Sequence, residues 1–370
     1  MKNVHAIIYA HHGYSELHEL GAQRTGASMP FCGRYRLIDF GLSGLMHAGI
    51  HDVGVIMQRG YQSLMDHIGS GRTWNMSRRA DGLRLLPPYG MPHASTGFYE
   101  SCMEALIAVR SYLDEIKDDY VVLGRGDLCA NIDIEKVVAQ HIESGVDVTA
   151  VCSKESLPYS HHRFMVDENG MAQEMLFLQK DTDRGVASLE MFVIGKTLLI
   201  DLVDWCAERG RIHFHRDALN QLFNEGGKVG VYMHEGYARH IISVIDFYEA
   251  NMALLDEKTR NSLFNEELPI TSRERSDVST YYAETAKVKN SLIADGCIIE
   301  GDVENCVIFC GAKVSAGAVV KNCIILNDTV IGENAQLNYV ISDKNVQISP
   351  YMTLNGNVKL PLVIPKDSKL

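Results

Sequence analysis

Up to about residue 255, short runs of apolar residues alternate with longer amphipathic stretches. VHAIIYA, VGVIM, YVVL, VTAVC and MFVIG are four to seven residues long and rich in Val and Ile, which predicts buried strands. Between them, YESCMEALIAVRSYLDEI and IEKVVAQHIESG carry apolar positions at helical spacing. The second has Asp133 placed as an N-cap and Gly145 just past its end. Strands alternating with helices predict a doubly wound α/β sheet, whose ligands bind beyond the carboxyl ends of the strands. Residues 256–285 are polar, with little periodicity, and read as a linker. From 286 to 370 the texture changes to short apolar triplets punctuated by Gly, Asn and Asp. Apolar residues recur at every sixth position: Ile308, Val314, Val320; after a slip, Ile325, Ile331, Leu337; then Val340, Val346, Met352, Val358. That period predicts a left-handed parallel β-helix of hexapeptide repeats, about three hexads to a coil.

Charge and composition then narrow the function. A formal net charge of −12 opposes binding to nucleic acid or an anionic membrane, so neither is expected as a partner. No apolar run approaches the roughly 20 residues needed to span a bilayer, and no charged-then-apolar leader opens the chain. A cytoplasmic location is expected. Nine cysteines without a CxxC pair read as free thiols, and the spacing of Cys297, Cys306, Cys310 and Cys323 fits no zinc module. All 15 histidines lie at or before His240, which argues against a β-helix acyltransferase with a catalytic histidine. The adjacent His11 and His12, the pair His161 and His162, and His213 with His215 read as loop residues before they read as metal ligands. The triplet Arg125 to Asp127 ends a buried strand, so it has no adhesion meaning. The basic stretches RTWNMSRR and SRERS read as solvated faces, with an effector or partner site as the alternative.

Several longer segments carry a family likeness. MPFCGRYRLIDFGLS (Met29 to Ser43), LLPPY (Leu85 to Tyr89), IDFYEANMALL (Ile245 to Leu255) and VKNSLIADGCIIEGDVENCVIF resemble segments of the ADP-glucose pyrophosphorylase (glucose-1-phosphate adenylyltransferase) family. The resemblance covers nearly the whole chain. It implies a nucleotidyltransferase-like domain at 1–255 with a mixed sheet, a linker at 256–285 and a β-helix domain at 286–370. It also implies a reaction that joins a sugar 1-phosphate to the α-phosphate of ATP. Such chemistry needs backbone donors and cations at the phosphates, and Mg²⁺ held by carboxylates.

Placed on the family's motifs, this chain departs at the positions that meet phosphate and metal. The glycine-rich phosphate loop falls on His11 to Leu17, where its glycines become His11, His12 and Tyr14 and its arginine becomes Glu16. A phosphate-facing lysine becomes Gly26. Asp127 matches the first metal-binding aspartate, but His240 stands at the second, and imidazole suits Mg²⁺ poorly. Lys180 and Ser188 match a residual sugar-phosphate pocket, whereas Glu190 replaces a glycine. Losing one preorganised charge-stabilising group typically reduces rate by about 10²- to 10³-fold, and here several are missing together. The resemblance therefore points to the family's regulatory-type, catalytically degenerate second subunit of bacterial glycogen synthesis. No catalytic residue, working metal site or required cofactor is expected. The expected partner is a catalytic homologous subunit in a hetero-oligomer, a tetramer by the family's habit, with a sugar-phosphate effector besides. An active adenylyltransferase with a remodelled phosphate loop, using Mg²⁺, stays open, as does a homo-oligomeric sugar-phosphate sensor.

Overall fold

The computed structural model describes residues 3–10, 15–58, 60–77, 82–87, 99, 101–154, 162–177 and 184–370. The chain forms two compact units, each assembled from separated segments. One comprises Met1–His12, Ile38–His240 and Glu266–Thr271; the other comprises Gly13–Leu37, Ile241–Asn265 and Ser272–Leu370. This division cuts across the contiguous blocks 1–255, 256–285 and 286–370.

The first unit is built on a nine-stranded mixed sheet. Leu83–Leu86, Val53–Met57, Val4–Ala10 and Tyr120–Arg125 run parallel in that spatial order. Val186–Gly195 then pairs antiparallel with Tyr120–Arg125 and with Val148–Ser153. Val4–Ala10 and Val53–Met57 are buried at every residue, as strands with both faces covered must be. The helix Ile134–Ser144 begins and ends as its sequence predicts. The Asp133 carboxylate accepts from the Lys136 N–H, and Gly145 takes φ 61°. The amphipathic stretch before it is two helices, Cys102–Ala108 and Arg110–Glu115, interrupted at Val109.

The family-like LIDFGLS residues that fall in this unit have structural partners. The buried Asp39 carboxylate lies 2.5 Å from His67 Nε2. Ser43 Oγ donates to the Thr271 carbonyl and accepts from the Thr271 N–H, while Trp74 Nε1 donates to that same carbonyl. Part of the polar stretch 256–285 is thus strapped onto the sheet unit. Another part forms the helix Glu257–Leu263, capped by Asp256. Polarity alone suggested a linker, because specific hydrogen bonds to a distant serine leave no periodic trace in sequence.

The second unit is dominated by the β-helix. Three five-stranded parallel sheets run along it, one starting at Tyr281–Tyr282, one at Lys287–Lys289 and one at Leu292–Ile293. The hexad positions from Ile308 to Val346 are buried, but the last one predicted, Val358, is 52% exposed. Ile348 and Ile364 fill that end of the core instead, because the chain leaves the coil at Asn355 and returns at Leu362. The slips in the hexad pattern fall at corners that take left-handed φ. One column of corners is Asn290, Asn305, Asn322 and Tyr339, with φ 43°, 53°, 52° and 53°. Asparagine tolerates that conformation better than most residues. Its amides also form a ladder: Asn290 Nδ2 donates to Asn305 Oδ1 (2.8 Å), Asn305 to Asn322 (3.3 Å) and Asn322 to Asn338 (2.9 Å). All nine cysteines are free, and Cys297, Cys306 and Cys323 pack in the core of the stack as small buried side chains.

Segments far away in sequence complete this unit. The Cys32 N–H donates to Asn251 Oδ1 (3.0 Å), which fixes the tight turn at Cys32 and Gly33 (φ 48° and 80°) against the helix Val244–Ala253. A Cβ on Gly33 would lie 3.2 Å from the Ala294 methyl. That helix opens with a capping box between Ser243 and Asp246, and its Tyr248 hydroxyl donates to the Asn322 carbonyl. The likeness to the family in PFCGRYR and EANMALL is therefore a likeness of parts that pack on one another.

Candidate functional site

Tyr120–Arg125 ends at the carboxyl edge of the sheet, and the turn after it carries Asp127. Asp127 is fully buried, so its charge needs a partner. Arg125 supplies one in bidentate form, Nε to Oδ1 at 2.9 Å and Nη2 to Oδ2 at 2.7 Å. Its remaining Nη1 donates to Glu190 Oε2 at 2.8 Å. Burial by itself would raise the Asp127 pKa. The Arg125 guanidinium, with His240 beside it, overrides burial and holds the carboxyl well below the usual carboxylate range. His240 reaches this point because Ala238–His240 pairs antiparallel with Leu128–Ala130. Its Nδ1 lies 3.8 Å from Asp127 Oδ1, too far for a hydrogen bond.

Glu190 sits in a bulge of Val186–Gly195, where the register shifts between Ser188 and Met191. Its φ is 52°, a left-handed conformation that a glycine would adopt without strain. Its N–H donates to Ser188 Oγ at 3.1 Å, so the buried Ser188 hydroxyl shapes the bulge. The Glu190 carboxylate reaches His162 Nδ1 through Oε1 at 3.1 Å. His215, on the π-helical turn Phe214–Leu219, stacks on His162 with ring centroids 3.9 Å apart and planes within 4°. Burial, then His162, pushes the His215 imidazole down to about 3, so it is neutral near pH 7.

The structure thus joins Asp127, His240 and Ser188 of the expected site residues to Arg125, Glu190, His162 and His215 in one network within the sheet unit. His11, His12, Tyr14 and Lys180 lie outside the described residues, as do His161, Arg78 and Arg79. Glu16 is exposed on the short helix Ser15–Leu17, and Gly26 is buried in the 3₁₀ turn Gly26–Ser28. Both belong to the other unit. Arg275 of the SRERS stretch pairs with Asp277 and Asp328 and so is engaged within the β-helix unit. Sequence reading passed over Arg125 as part of a coincidental triplet. The signal was there: an arginine ending a buried strand, two residues before an aspartate, needs a carboxylate close by.

These donors do not suit Mg²⁺. Both Asp127 oxygens accept from a guanidinium, and the opposing group is an imidazole where the hard ion asks for oxygen. No reaction step through that ion follows from this geometry.

Comparison with known proteins agrees with the two-part fold. Residues 15–166 match the nucleotidyl transferase family model, and residues 278–359 match the GlmU-like C-terminal hexapeptide model. The chain is 32% identical over 354 residues to the glycogen biosynthesis protein GlgD of Bacillus subtilis (strain 168), covering 95% of this chain and 92% of that one. It is 31% identical over 333 residues to the glucose-1-phosphate adenylyltransferase of Bacillus thuringiensis (strain Al Hakam), covering 88% of each. The chain belongs to the glucose-1-phosphate adenylyltransferase family. The Bacillus anthracis glucose-1-phosphate adenylyltransferase is similar at 30% identity over 333 residues, again 88% of each chain. Membership makes this a nucleotidyltransferase-type chain related to glycogen synthesis, with a left-handed β-helix of hexapeptide repeats. Among the described residues no helix is long and apolar enough to cross a membrane.

Proposed function

We propose that this chain is a regulatory, non-catalytic subunit that assembles with a catalytic homologue and tunes its synthesis of ADP-glucose from ATP and glucose 1-phosphate. One observation carries the reading. The buried Asp127 carboxylate is neutralised internally by a bidentate Arg125, whereas nucleotidyl transfer would require it for a metal ion. Glu190 brings a further carboxylate into the same place. A metal-site carboxylate whose two oxygens are already held by its own arginine has little electrostatic need for a magnesium ion. The relatives' shared scaffold, in contrast, is kept in the parts that pack on the β-helix. Influence on a partner must then pass through the subunit interface, by contacts that differ between two states of that partner.

We propose a cluster of cations in the β-helix unit as the seat of a sugar-phosphate effector. Arg24 is 5% exposed, pairs with the buried Asp343 at 2.8 Å, and among the described residues keeps Nη1 without a hydrogen-bond partner. Burial, then Arg36 and Arg24, pushes Lys344 down to about 8, as expected where cations crowd together. An anion there would relieve that crowding. The proposed setting is cytoplasmic, in a hetero-oligomer, with no cofactor required by this chain.

The test is titration of the purified chain into a catalytic homologue. The reading expects a change in the partner's substrate affinity or effector response that saturates at a fixed subunit ratio. Partner kinetics identical with and without the chain would refute it.

A further inference from the structure

His162, Glu190 and His215 come from three separate elements: the strand His162–Val166, the bulge in Val186–Gly195 and the turn Phe214–Leu219. One nitrogen of each imidazole and one carboxylate oxygen lie within 4.8 Å of one another. Three independent features set this cluster apart from a chance meeting of polar side chains. His215 is 8% exposed, and among the described residues its Nε2 has no hydrogen-bond partner. A buried polar atom left in that state marks either a defect or a missing ligand. Glu190 holds a left-handed φ of 52°, a strain that persists where the surroundings over-determine it and that clusters at functional sites. Finally, Arg125 grips Glu190 Oε2 and leaves Oε1 facing the histidines, the way an outer partner orients a ligating carboxylate.

We infer that His162, Glu190 and His215 form a binding site for a borderline divalent transition metal of the zinc type. Two imidazoles and one carboxylate suit such an ion and leave a fourth position for water, whereas Mg²⁺ prefers an all-oxygen shell. Local charge agrees. Arg125 is matched by Asp127, so the triad with Glu190 carries one net negative charge beside two imidazoles that are neutral when they ligate. The parallel stack places the two rings in separate planes, so binding turns one imidazole out of it and replaces the His162–Glu190 hydrogen bond by bonds to the ion. This site is distinct from the magnesium position at Asp127 and His240, and it stands whether or not the chain acts as a regulatory subunit.

The experiment is a Co²⁺ titration of the full chain followed by visible absorption, with Zn²⁺ and Mg²⁺ as competitors. The site predicts near-stoichiometric tetrahedral-type bands that Zn²⁺ removes and a large excess of Mg²⁺ does not. His162→Gln and His215→Gln should each weaken binding by about 10-fold or more. His162 is partly exposed, so its variant still decides the matter if His215→Gln fails to fold, as judged by circular dichroism. Absence of the bands would overturn the inference. So would bands that persist unchanged in His162→Gln, since the ion would then sit on other histidines, or equal displacement by Mg²⁺.

Discussion

The β-helix and the sheet-edge pocket treat the same backbone conformation in opposite ways. In the β-helix, left-handed φ recurs column by column and is filled by residues that tolerate it, Asn305 and Asn322 for example, whose amides bond to the next coil. Local preference, packing and hydrogen bonding there agree. In the pocket, left-handed φ falls on Glu190, a half-buried arginine is held between two carboxylates, and among the described residues His215 Nε2 lacks a partner. Local preference and tertiary demand disagree. Where levels agree, a segment is explained by stability. Where they conflict, some other requirement is being met.

Substitutions at Asp127, Ile331, Lys344 and Asn322 break or sharpen this contrast, taken from the largest expected effect down. Asp127→Ala removes the buried member of the pair and leaves the half-buried Arg125 with only one carboxylate. It should lower the unfolding free energy by about 3–5 kcal/mol in denaturant titration, because a broken buried pair strands a charge. Adding Arg125→Met should recover part of that loss. If Asp127→Ala were neutral, the claim that Asp127 is structurally occupied would fail. In the β-helix, Ile331→Ala opens a cavity in a fully buried row and should cost about 2–4 kcal/mol. That loss should come without the partial rescue by a second substitution expected in the pocket.

Lys344 gives a pH-dependent version. It sits at about 8 in the fold against an ordinary 10.5, faced by Arg24, Arg36, Lys366 and the carboxylate of Asp343. Below pH 8 the lysine is charged in both states, and the folded state bears the full burial penalty. Between the two values the unfolded chain binds more protons, so stability should rise with pH across that window. Lys344→Met should stabilise the fold at pH 7 by about 1–3 kcal/mol and flatten that rise. The smallest effect is at the asparagine ladder. Asn322→Ala should destabilise by about 1–2 kcal/mol, since it loses the amide bonds and adds strain at φ 52°. Asn322→Gly, which removes only the bonds, should lose less, and equal losses would show that the conformation carries no penalty there.

Much of the fold was legible because it is written in local periodicity. Alternating strands and helices announced the sheet, and the sixfold recurrence announced the β-helix, except at Val358, which lies where the chain has left the coil between Asn355 and Leu362. The assembly of the units was not legible. Nothing near Cys32 signals that its N–H meets Asn251, nor does Ser43 advertise Thr271. Of the site, Asp127, His240, Ser188 and Glu190 could be singled out from motifs, and the structure brings them together. The Arg125–Asp127 pair left a local signal two residues long, but the bond from Arg125 to Glu190 left none, because it depends on a bulge 65 residues away. The same is true of His162 and His215, each half of a pair that reads as ordinary loop until both meet one carboxylate.

The central claim is that internal neutralisation of Asp127 by Arg125 replaces the metal-nucleotide chemistry of the family. It is tested most directly by ADP-glucose formation from ATP, glucose 1-phosphate and Mg²⁺ by the purified chain alone. The account predicts no product above the level seen with chelator present. Sustained Mg²⁺-dependent turnover by this chain without a partner would contradict it.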